Sequence, residues 1–257
     1  MRIATYNING VKARLPRLLE WLEETQPDIA CLQEVKSQDE GFPVDEFERA
    51  GYGAIWHGQK SFNGVAILAK GTQPVEAQRT LPGDPEDEHA RYLEADVFGI
   101  RVASIYLPNG NPLPGPKFDY KLAWMKRLYD RAAALLAAEI PAVLAGDYNV
   151  IPHTHDIWAP GAMLDDALRQ PESIAAYRAL LGQGWTDALA THYPQGGIWT
   201  FWDFQAGAWQ RDHGFRIDHL LLSPVVADRL ASCGVDKDHR GREKASDHAP
   251  TWVELTD

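Results

Sequence analysis

Residues 2–10 read RIATYNING, and this stretch decides the fold because a close variant, RVASIYLPNG, returns at residues 101–110. Each copy is typical of an apolar strand that ends in an Asn-Gly loop. After each copy, apolar side chains recur at helical spacing, namely Leu15, Leu18, Leu19 and Leu22, then Leu122, Met125, Leu128, Tyr129, Ala132 and Leu136. A strand ending in an acid follows each helix, at residues 27–34 and 141–147. Two strand–helix–strand units of one design predict an internally duplicated α/β fold.

The remaining elements are predicted from shorter patterns. Apolar runs predict strands at Tyr52–Trp56, Gly64–Ala69, Tyr92–Val97, Ile217–Leu222 and Ala249–Leu255. Helices are predicted at Ser173–Leu181 and Val225–Ala231.

Length and composition favour a globular protein. No linker of low complexity divides the 257 residues, so we expect a single domain over residues 1–257. No apolar run is long enough to cross a bilayer, and the first residues are typical of a strand, not of a signal peptide. Only Cys31 and Cys233 occur, so no disulfide framework is implied and a cytoplasmic location is expected.

The formal net charge of −11 taken alone argues against a nucleic-acid partner. Basic residues nevertheless recur in several loops, which leaves open a basic face on an acidic body. Its candidate members are Lys12, Arg14, Arg17, Lys60, Lys117, Lys121, Arg211, Arg216, Arg240, Arg242 and Lys244.

Polar side chains gather where the duplicated strands end. α/β folds build their sites at the carboxyl ends of strands, so one edge is expected to hold Asn7, Glu34, Tyr106, Asn109, Asp147 and Asn149. A carboxylate at the end of a buried strand is costly unless it is paired or bound to metal. Glu34 is therefore either a metal ligand or the partner of a cation such as Lys36.

Asp147 and Asn149 lie two residues apart in Gly-Asp-Tyr-Asn. In an extended stretch both side chains point the same way and face one ligand. The alternative is an Asx-type turn before Pro152.

Acids and imidazoles also occur later in the chain. Asp218 could orient His248 and hold its charge, although a lone histidine beside a strand is more often a core residue. His153 and His155 resemble a zinc pair but lack a third ligand, so an exposed loop is expected there. The aromatic stretch Trp199–Phe204 is more typical of core than of a ligand pocket.

In their order along the chain, these motifs resemble the exonuclease III family of abasic-site endonucleases, within the endonuclease/exonuclease/phosphatase superfamily. The motifs are YNING at 6–10, LQE at 32–34, YLPNG at 106–110, GDYN at 146–149, WDF at 202–204, GFRID at 214–218 and SDHAP at 246–250. The resemblance covers nearly the whole chain. It implies a four-layer sandwich, in which two mixed β-sheets pack face to face between helices.

The resemblance also implies a role for each motif residue. Glu34 would be the main Mg²⁺ or Mn²⁺ ligand, and the residues near the metal would be Asn7, Asn9, Asp147, Asn149, Asp247 and His248. Asp147 would orient or deprotonate the attacking water, and Asp218 would hold His248. The scissile phosphate would be contacted by Asn7, Tyr106, Asn149 and His248. Some relatives have Asp where this chain has Asn9, so this chain offers an amide there in place of a charged ligand.

The implied substrate is duplex DNA with abasic sites or 3′ ends. Phe201, Phe215 and Ile217 would form the pocket for the base-less sugar. The other expected DNA-binding residues are Lys12, Lys60, Asn109, Trp202 and Arg211. We expect a monomer that needs no protein partner and no membrane.

The expected activity is metal-dependent cleavage 5′ to abasic sites and trimming of 3′ ends. One alternative is a phosphodiesterase of the same fold that acts on RNA, a phospholipid or a phosphoinositide. Another is a DNA-binding module without catalysis, which the intact set of acids and His248 disfavours.

Overall fold

The computed structural model describes residues 1–256. Its strands are β1 (Arg2–Asn7), β2 (Ile29–Gln33), β3 (Tyr52–His57), β4 (Val65–Lys70), β5 (Val75–Gln78), β6 (Tyr92–Val97), β7 (Ile100–Tyr106), β8 (Ala142–Asp147), β9 (Thr186–Asp187), β10 (Asp218–Leu222), β11 (Leu230–Val235) and β12 (Thr251–Leu255). Its helices are α1 (Val11–Thr25), α2 (Val44–Arg49), α3 (Pro116–Ala137), α4 (Pro171–Gly182), α5 (Ala188–His192), α6 (Pro224–Ala227) and α7 (Lys237–Arg240).

The strands form two mixed six-stranded sheets, with the orders β11-β12-β1-β2-β4-β3 and β5-β6-β7-β8-β10-β9. The two orders match strand for strand. In each sheet the central pair, β1 with β2 or β7 with β8, is parallel, and antiparallel strands flank it. Each central pair is joined by a long helix, α1 or α3. The expected pair of mixed sheets with flanking helices is confirmed, and the matching orders are those of a duplicated unit.

Strand alternation decides which side chains meet between the sheets. The layer between the sheets is apolar and includes Ile3, Cys31, Val102, Val143 and Leu220. The residues between these positions face outward and pack on the helices, α1 and α2 on the first sheet, and α3 and α4 on the second. By the same alternation Asn7, Gln33, Tyr106, Asp147 and Asp218 belong to the inner faces, at one end of the sandwich. The interior therefore becomes polar at that end.

The second half of the chain departs from the predicted elements. The predicted helix Val225–Ala231 is wrong in its extent, because α6 ends at Ala227 and the chain enters β11 at Leu230. Pairing with β12 determines this strand, since its sequence LASCGV has little apolar alternation of its own. None of the helices within residues 1–256 is long and apolar enough to span a bilayer.

Arg216 is not part of a basic surface, because the fold buries it. Its guanidinium lies 2.8 Å from Asp156 Oδ1 and 2.8 Å from Asp187 Oδ2, and 1% of the side chain is exposed. The hydroxyl of Tyr177 also donates to Asp187, at 2.9 Å. Burial acts to raise the pKa of Asp187, but Arg216 outweighs it and lowers that pKa to about 2. This network joins the loop at Asp156 to the second sheet.

Arg216→Ala should lower the free energy of unfolding by about 3–5 kcal/mol, because it leaves two buried carboxylates without their cation. Urea unfolding monitored by tryptophan fluorescence measures the loss. Arg49→Ala, which removes an exposed arginine paired with Glu46, should leave the free energy nearly unchanged. Equal effects of the two substitutions would contradict a structural role for the network.

Candidate active site

The strand ends meet at a cavity of about 490 Å³, called the central cavity below. Of the site residues expected from the sequence, those that line it are Glu34, Tyr106, Asn109, Asp147, Asn149, Phe201, Arg211, Phe215, Ile217, Asp247 and His248. Asn7 is buried beside it and contacts two of these residues. The expected convergence of the strand ends is thus present in the structure.

One amide joins the two sheets at the site. Nδ2 of Asn7 donates to Glu34 Oε1 and to Asp147 Oδ2, each at 2.9 Å. Asn7 ends β1 and Glu34 follows β2 in the first sheet, whereas Asp147 ends β8 of the second. Because this amide holds both carboxylates, their separation is set by the packing of one sheet on the other.

The register of the second sheet places three polar residues in a row. Asp147 is directly opposite Tyr106 on one side and Asp218 on the other. His248 lies between the two acids, with Nδ1 at 2.9 Å from Asp218 Oδ2 and Nε2 at 3.8 Å from Asp147 Oδ2. The expected Asp218–His248 contact is therefore present.

Charge–charge contacts set the protonation of this row. Burial acts to lower the pKa of His248, but Asp218 and then Asp147 outweigh it, and the pKa is raised above its ordinary value. Burial raises the pKa of Asp147, against the attraction of His248. Burial and the nearby carboxylates of Glu34 and Asp147 also hold the pKa of Tyr106 well above its usual range. The row thus contains a charged imidazole, a neutral phenol and a carboxylate able to take a proton near neutral pH.

Glu34 has the cation partner that the sequence left open. Nζ of Lys36 lies 2.7 Å from Glu34 Oε2 and 2.6 Å from Asn9 Oδ1. Burial acts to raise the pKa of Glu34, but Lys36 and Asn7 outweigh it, so the pKa is lowered and the group is ionised. The neighbouring Asn9 Nδ2 donates to Asp247 Oδ1 at 3.0 Å.

The same donors fit a metal ion. Glu34, Asp147 and His248 each offer a ligand atom, and these atoms lie within 4.8 Å of one another. Glu34 and Asn9 already direct two oxygens at one cation, the Lys36 ammonium. Oxygen donors in this number suit a hard divalent cation. Such an ion would compete with Lys36 for these oxygens.

The Asp147–Asn149 stretch is a turn and not an extended segment. The backbone N–H of Asn149 donates to Asp147 Oδ1 at 2.9 Å, and Asn149 has a φ of 48°. The alternative of an Asx-type turn is confirmed. Asn149 still lines the central cavity, because its side chain is held by Leu107 O at 3.0 Å and by Asn109 Nδ2 at 3.1 Å.

The aromatic stretch Trp199–Phe204 divides between core and cavity. Phe201 packs against Phe215 in a tilted arrangement, with ring centroids 4.7 Å apart, and meets the ring of His248 edge-on at 4.9 Å. Trp202, in contrast, is fully buried, donates to Asp212 Oδ1 at 2.8 Å and does not line the cavity. The prediction of Trp202 as a substrate-binding residue is therefore not retained, because its indole is buried and hydrogen-bonded within the fold.

The predicted basic residues do not all share one face. Arg17 and Arg242 are paired with acids of α1, whereas Arg216 and Lys121 are buried. Lys12 and Lys60 are exposed and lie outside the central cavity. Of the predicted cations, only Arg211 lines it. The idea of one continuous basic face is wrong for the buried members.

Several cavity residues carried no signal in the sequence. These are Trp158, Met163, Asp166, Leu168 and His213. The first four belong to the irregular segment between β8 and α4, which has no strand or helix period. Their position follows from backbone contacts, such as the Trp158 N–H bond to Gly214 O at 3.0 Å.

The chain is similar to known proteins over nearly its whole length. The Endonuclease/Exonuclease/phosphatase family model matches residues 4–248. Exodeoxyribonuclease III of Haemophilus influenzae is 34% identical over 99% of this chain and 100% of its own length.

Two solved structures resemble the whole chain. An AP endonuclease from Archaeoglobus fulgidus superposes with a TM-score of 0.95 at 35% identity, with full coverage of both chains. A 3′ phosphatase from Neisseria bound to a product DNA hairpin superposes with a TM-score of 0.96 at 35% identity, over 100% of this chain and 99% of that one.

Lys121 is a buried cation behind the site. Its Nζ donates to the carbonyls of Asn109 at 3.0 Å and Asn149 at 2.6 Å, so it ties together the loops that follow β7 and β8. Burial lowers the pKa of Lys121 to about 7, although Asp147 acts to raise it. The sequence showed only a lysine in a basic stretch.

Lys121→Met should remove a pH dependence of stability. Because the pKa of Lys121 is lower in the folded state, the unfolded chain binds more protons between pH 7 and 10, and stability rises with pH there. We expect the wild type to gain about 2–4 kcal/mol relative to the variant between pH 6.5 and 9.5 in urea unfolding. Lys117→Met, on the exposed side of the same helix, is the control. A constant difference between wild type and Lys121→Met would contradict the lowered pKa.

Proposed function

Because the chain belongs to the endonuclease/exonuclease/phosphatase family, we propose that it is a metal-dependent DNA repair nuclease. It cuts the backbone 5′ to an abasic site in duplex DNA, leaves a 3′-hydroxyl, and trims 3′ ends. The observation that carries the proposal is the bridge from Asn7 to Glu34 and Asp147, placed beside the Asp218–His248 pair in one cavity. Acids, amides and an imidazole in this arrangement suit attack of water on a phosphodiester.

Each side chain has a role that its contacts support. Asp147, whose pKa is raised, orients the attacking water and accepts its proton as the water oxygen bonds to phosphorus. The bond between phosphorus and the 3′ oxygen of the preceding nucleotide breaks in the same step, and that oxygen takes a proton from solvent to become the 3′-hydroxyl. His248, charged and held by Asp218, donates to a non-bridging oxygen of the phosphate. Asn149 and Tyr106 are further donors on the same wall of the cavity.

Mg²⁺ or Mn²⁺ is the proposed cofactor, with Glu34 as its main ligand and Asn9 and Asp247 beside it. All three supply oxygen atoms, which these ions prefer. When bound, the ion stabilises the charge on the phosphate and the leaving oxygen. A divalent cation that binds Glu34 would have to displace the Lys36 ammonium. The affinity for the metal would therefore depend on the charge of Lys36 as well as on that of Glu34.

The proposed specificity for an abasic site comes from the apolar wall of the central cavity. Phe201, Phe215 and Ile217 lie together beside His248. A deoxyribose without its base is small and partly apolar, so a narrow apolar wall can accept it and exclude a complete nucleotide by size. Arg211 and Asn109 at the rim, with Lys12 and Lys60 outside it, are the proposed contacts to the DNA. The loops 205–211 and 109–117 would brace the bent duplex.

The proposed working form is a monomer with one catalytic domain over residues 1–257. Support comes from the site itself, which takes side chains from Asn7 to His248 of a single chain. The proposed location is the cytoplasm, where the buried thiols Cys31 and Cys233 stay reduced. The alternatives of an RNA or lipid phosphodiesterase and of a catalytically silent DNA-binding module are less well supported. The relatives are named as an exodeoxyribonuclease, an AP endonuclease and a 3′ phosphatase bound to DNA, and every proposed catalytic residue is present.

Cleavage of a 30-base-pair duplex with one abasic analogue tests the proposal. With Mg²⁺ the wild type should cut 5′ to the analogue and leave a 3′-hydroxyl, and a chelator should abolish the cut. Asp147→Asn should reduce the rate at least about 10³-fold, because it removes the acceptor of the water's proton. Asp130→Asn, an exposed acid of α3, is the matched control. Gel-shift affinity that falls in step with the rate would assign Asp147 to binding instead, and a wild type that ignores the analogue would refute the function.

Phe215→Leu should reduce the preference for abasic over undamaged DNA by about tenfold. The smaller side chain enlarges the sugar pocket, and a change of this size is worth about 1–3 kcal/mol of discrimination. The ratio of the two cleavage rates measures this, with the melting temperature recorded for the same protein. Phe47→Leu, in the core between α2 and the first sheet, is the control that should lower the melting temperature without changing the ratio. An unchanged ratio for Phe215→Leu would make Phe215 a core residue only.

A further inference from the structure

A second cavity of about 500 Å³, called the basic cleft below, lies outside the central cavity. Its lining residues are Ala13, Arg14, Phe204, Arg240, Arg242, Lys244 and Ala245. Four of the seven are cations, although the whole chain has a formal net charge of −11. α1, the loop at Phe204 and the segment after α7 each contribute to it, so the sequence separates these cations and the fold assembles them.

Most of this positive charge is not neutralised. Arg242 is paired with Glu20 and Glu24, at 3.1 Å and 2.7 Å. Within residues 1–256, neither Arg14 nor Lys244 has a carboxylate within ion-pairing distance. Two cations of the cleft are therefore available to an anion from outside.

Arg240 is the most constrained of the four cations. Only 7% of it is exposed, and its Nε and Nη2 donate to backbone carbonyls of Trp202, Asp203 and Asp247. Nη1 donates to no protein group within residues 1–256, and the residue lines the cleft. A nearly buried guanidinium without a carboxylate is costly, and an anion entering the cleft would reduce that cost.

Phe204 holds the guanidinium groups in place. Its ring is 52% exposed and lies 5.0 Å from the Arg240 Cζ and 6.0 Å from the Arg14 Cζ. Attraction between these cations and the ring face limits their motion. An exposed aromatic residue in this position thus prepares the two arginines for a ligand instead of covering core.

The basic cleft shares a wall with the central cavity. Asp203 and Gln205 line the central cavity, whereas Phe204 between them lines the cleft. Asp247 and Ala245 divide in the same way. Adjacent Cα atoms are about 3.8 Å apart, so the two cavities are separated by little more than one strand of backbone.

We propose that the basic cleft binds a backbone phosphate of the same DNA duplex whose scissile phosphate lies in the central cavity. This inference rests on the proposed function and adds to it a place for the flanking DNA. Successive phosphates of one strand are about 3.4 Å apart along the helix axis, so a phosphate within a few nucleotides of the scissile bond passes over the shared wall. The three cations without acid partners then supply the local positive charge that an acidic protein needs to hold DNA.

The test compares the wild type with Arg14→Gln/Lys244→Gln on duplexes that carry one abasic analogue, in Mg²⁺. Both substitutions remove charge from solvent-accessible side chains, and Arg240 is left intact because its backbone contacts support the fold. Lys70→Gln is the matched control, since Lys70 is exposed at the end of β4 remote from the site. KM and kcat are measured from 50 to 200 mM salt on a 30-base-pair duplex and on duplexes trimmed stepwise from either side of the analogue.

On the long duplex the double variant should show a KM about tenfold higher and an unchanged kcat. The slope of log KM against log salt should become shallower by about 1, because the one lost phosphate contact contributes about 0.9. On duplexes too short to reach the cleft, the two proteins should have the same KM. A single neutral methylphosphonate at the contacted position should raise the KM of the wild type and have little further effect on the double variant.

The inference is overturned if the double variant has the KM and the salt slope of the wild type on the long duplex. It is also overturned if the double variant raises KM by the same factor on the shortest duplexes as on the long one. Inorganic phosphate is titrated as a competitor to separate a free-anion site from a DNA contact. If inorganic phosphate inhibits the wild type but not the double variant, and the two proteins have the same KM for DNA, the cleft is a free-anion site and the inference is overturned. A wild type that does not cut the abasic duplex at all would instead refute the proposed function.

Discussion

The site depends on one side-chain amide, that of Asn7, which donates to a carboxylate of each half of the sandwich. The carboxylates of half-buried Glu34 and buried Asp147 lie within 4.8 Å of each other, so they repel and lose part of their solvation by water. They remain together only if hydrogen-bond donors and cations compensate them. Asn7 supplies two such bonds, Lys36 supplies an ion pair to Glu34, and His248 supplies positive charge beside Asp147. Since Asn7 ends a strand whose inner residues pack on the other sheet, any sliding of the sheets would break these contacts.

A polar layer connects this site to the apolar interior. Gln33 accepts from Thr5 Oγ1 at 3.1 Å and donates to Ser104 Oγ at 3.0 Å, which again joins the two sheets. These three residues are fully buried one layer below Asn7, and their bonds are mutually satisfied. The interior therefore changes from apolar to neutral polar and then to charged toward the cavity, so that the charged groups lie where solvent and substrate can reach them.

The sequence predicted the parts of the site that lie at the ends of strands. Because α/β folds build their sites at the carboxyl ends of strands, the polar ends of the RIATYN strand and of its later variant predicted where Asn7 and Tyr106 lie. The turn at Asp147–Asn149 was harder to predict from the sequence. Asn149 adopts a positive φ, and only the contacts of the folded loop select that conformation over an extended one. The burial of Lys121 and Arg216 could not be predicted either, because the carbonyls and carboxylates that hold them are distant in sequence. The segment between β8 and α4 has no period, so its contribution to the cavity emerged only in three dimensions.

An acidic protein that acts on DNA must keep its negative charge away from the phosphates, and this fold does so by pairing. Glu94 is fully buried against Arg101 and Arg131, and Asp156 and Asp187 share Arg216. These pairs neutralise acids in the interior, where they contribute little potential at the surface. The cations left without carboxylates then matter more than the net charge, because the potential that DNA meets is set locally within about a Debye length of 8–10 Å. Formal charge summed over the sequence therefore gave the wrong sign for the region next to the site, and only the three-dimensional pairing of acids with bases corrects it.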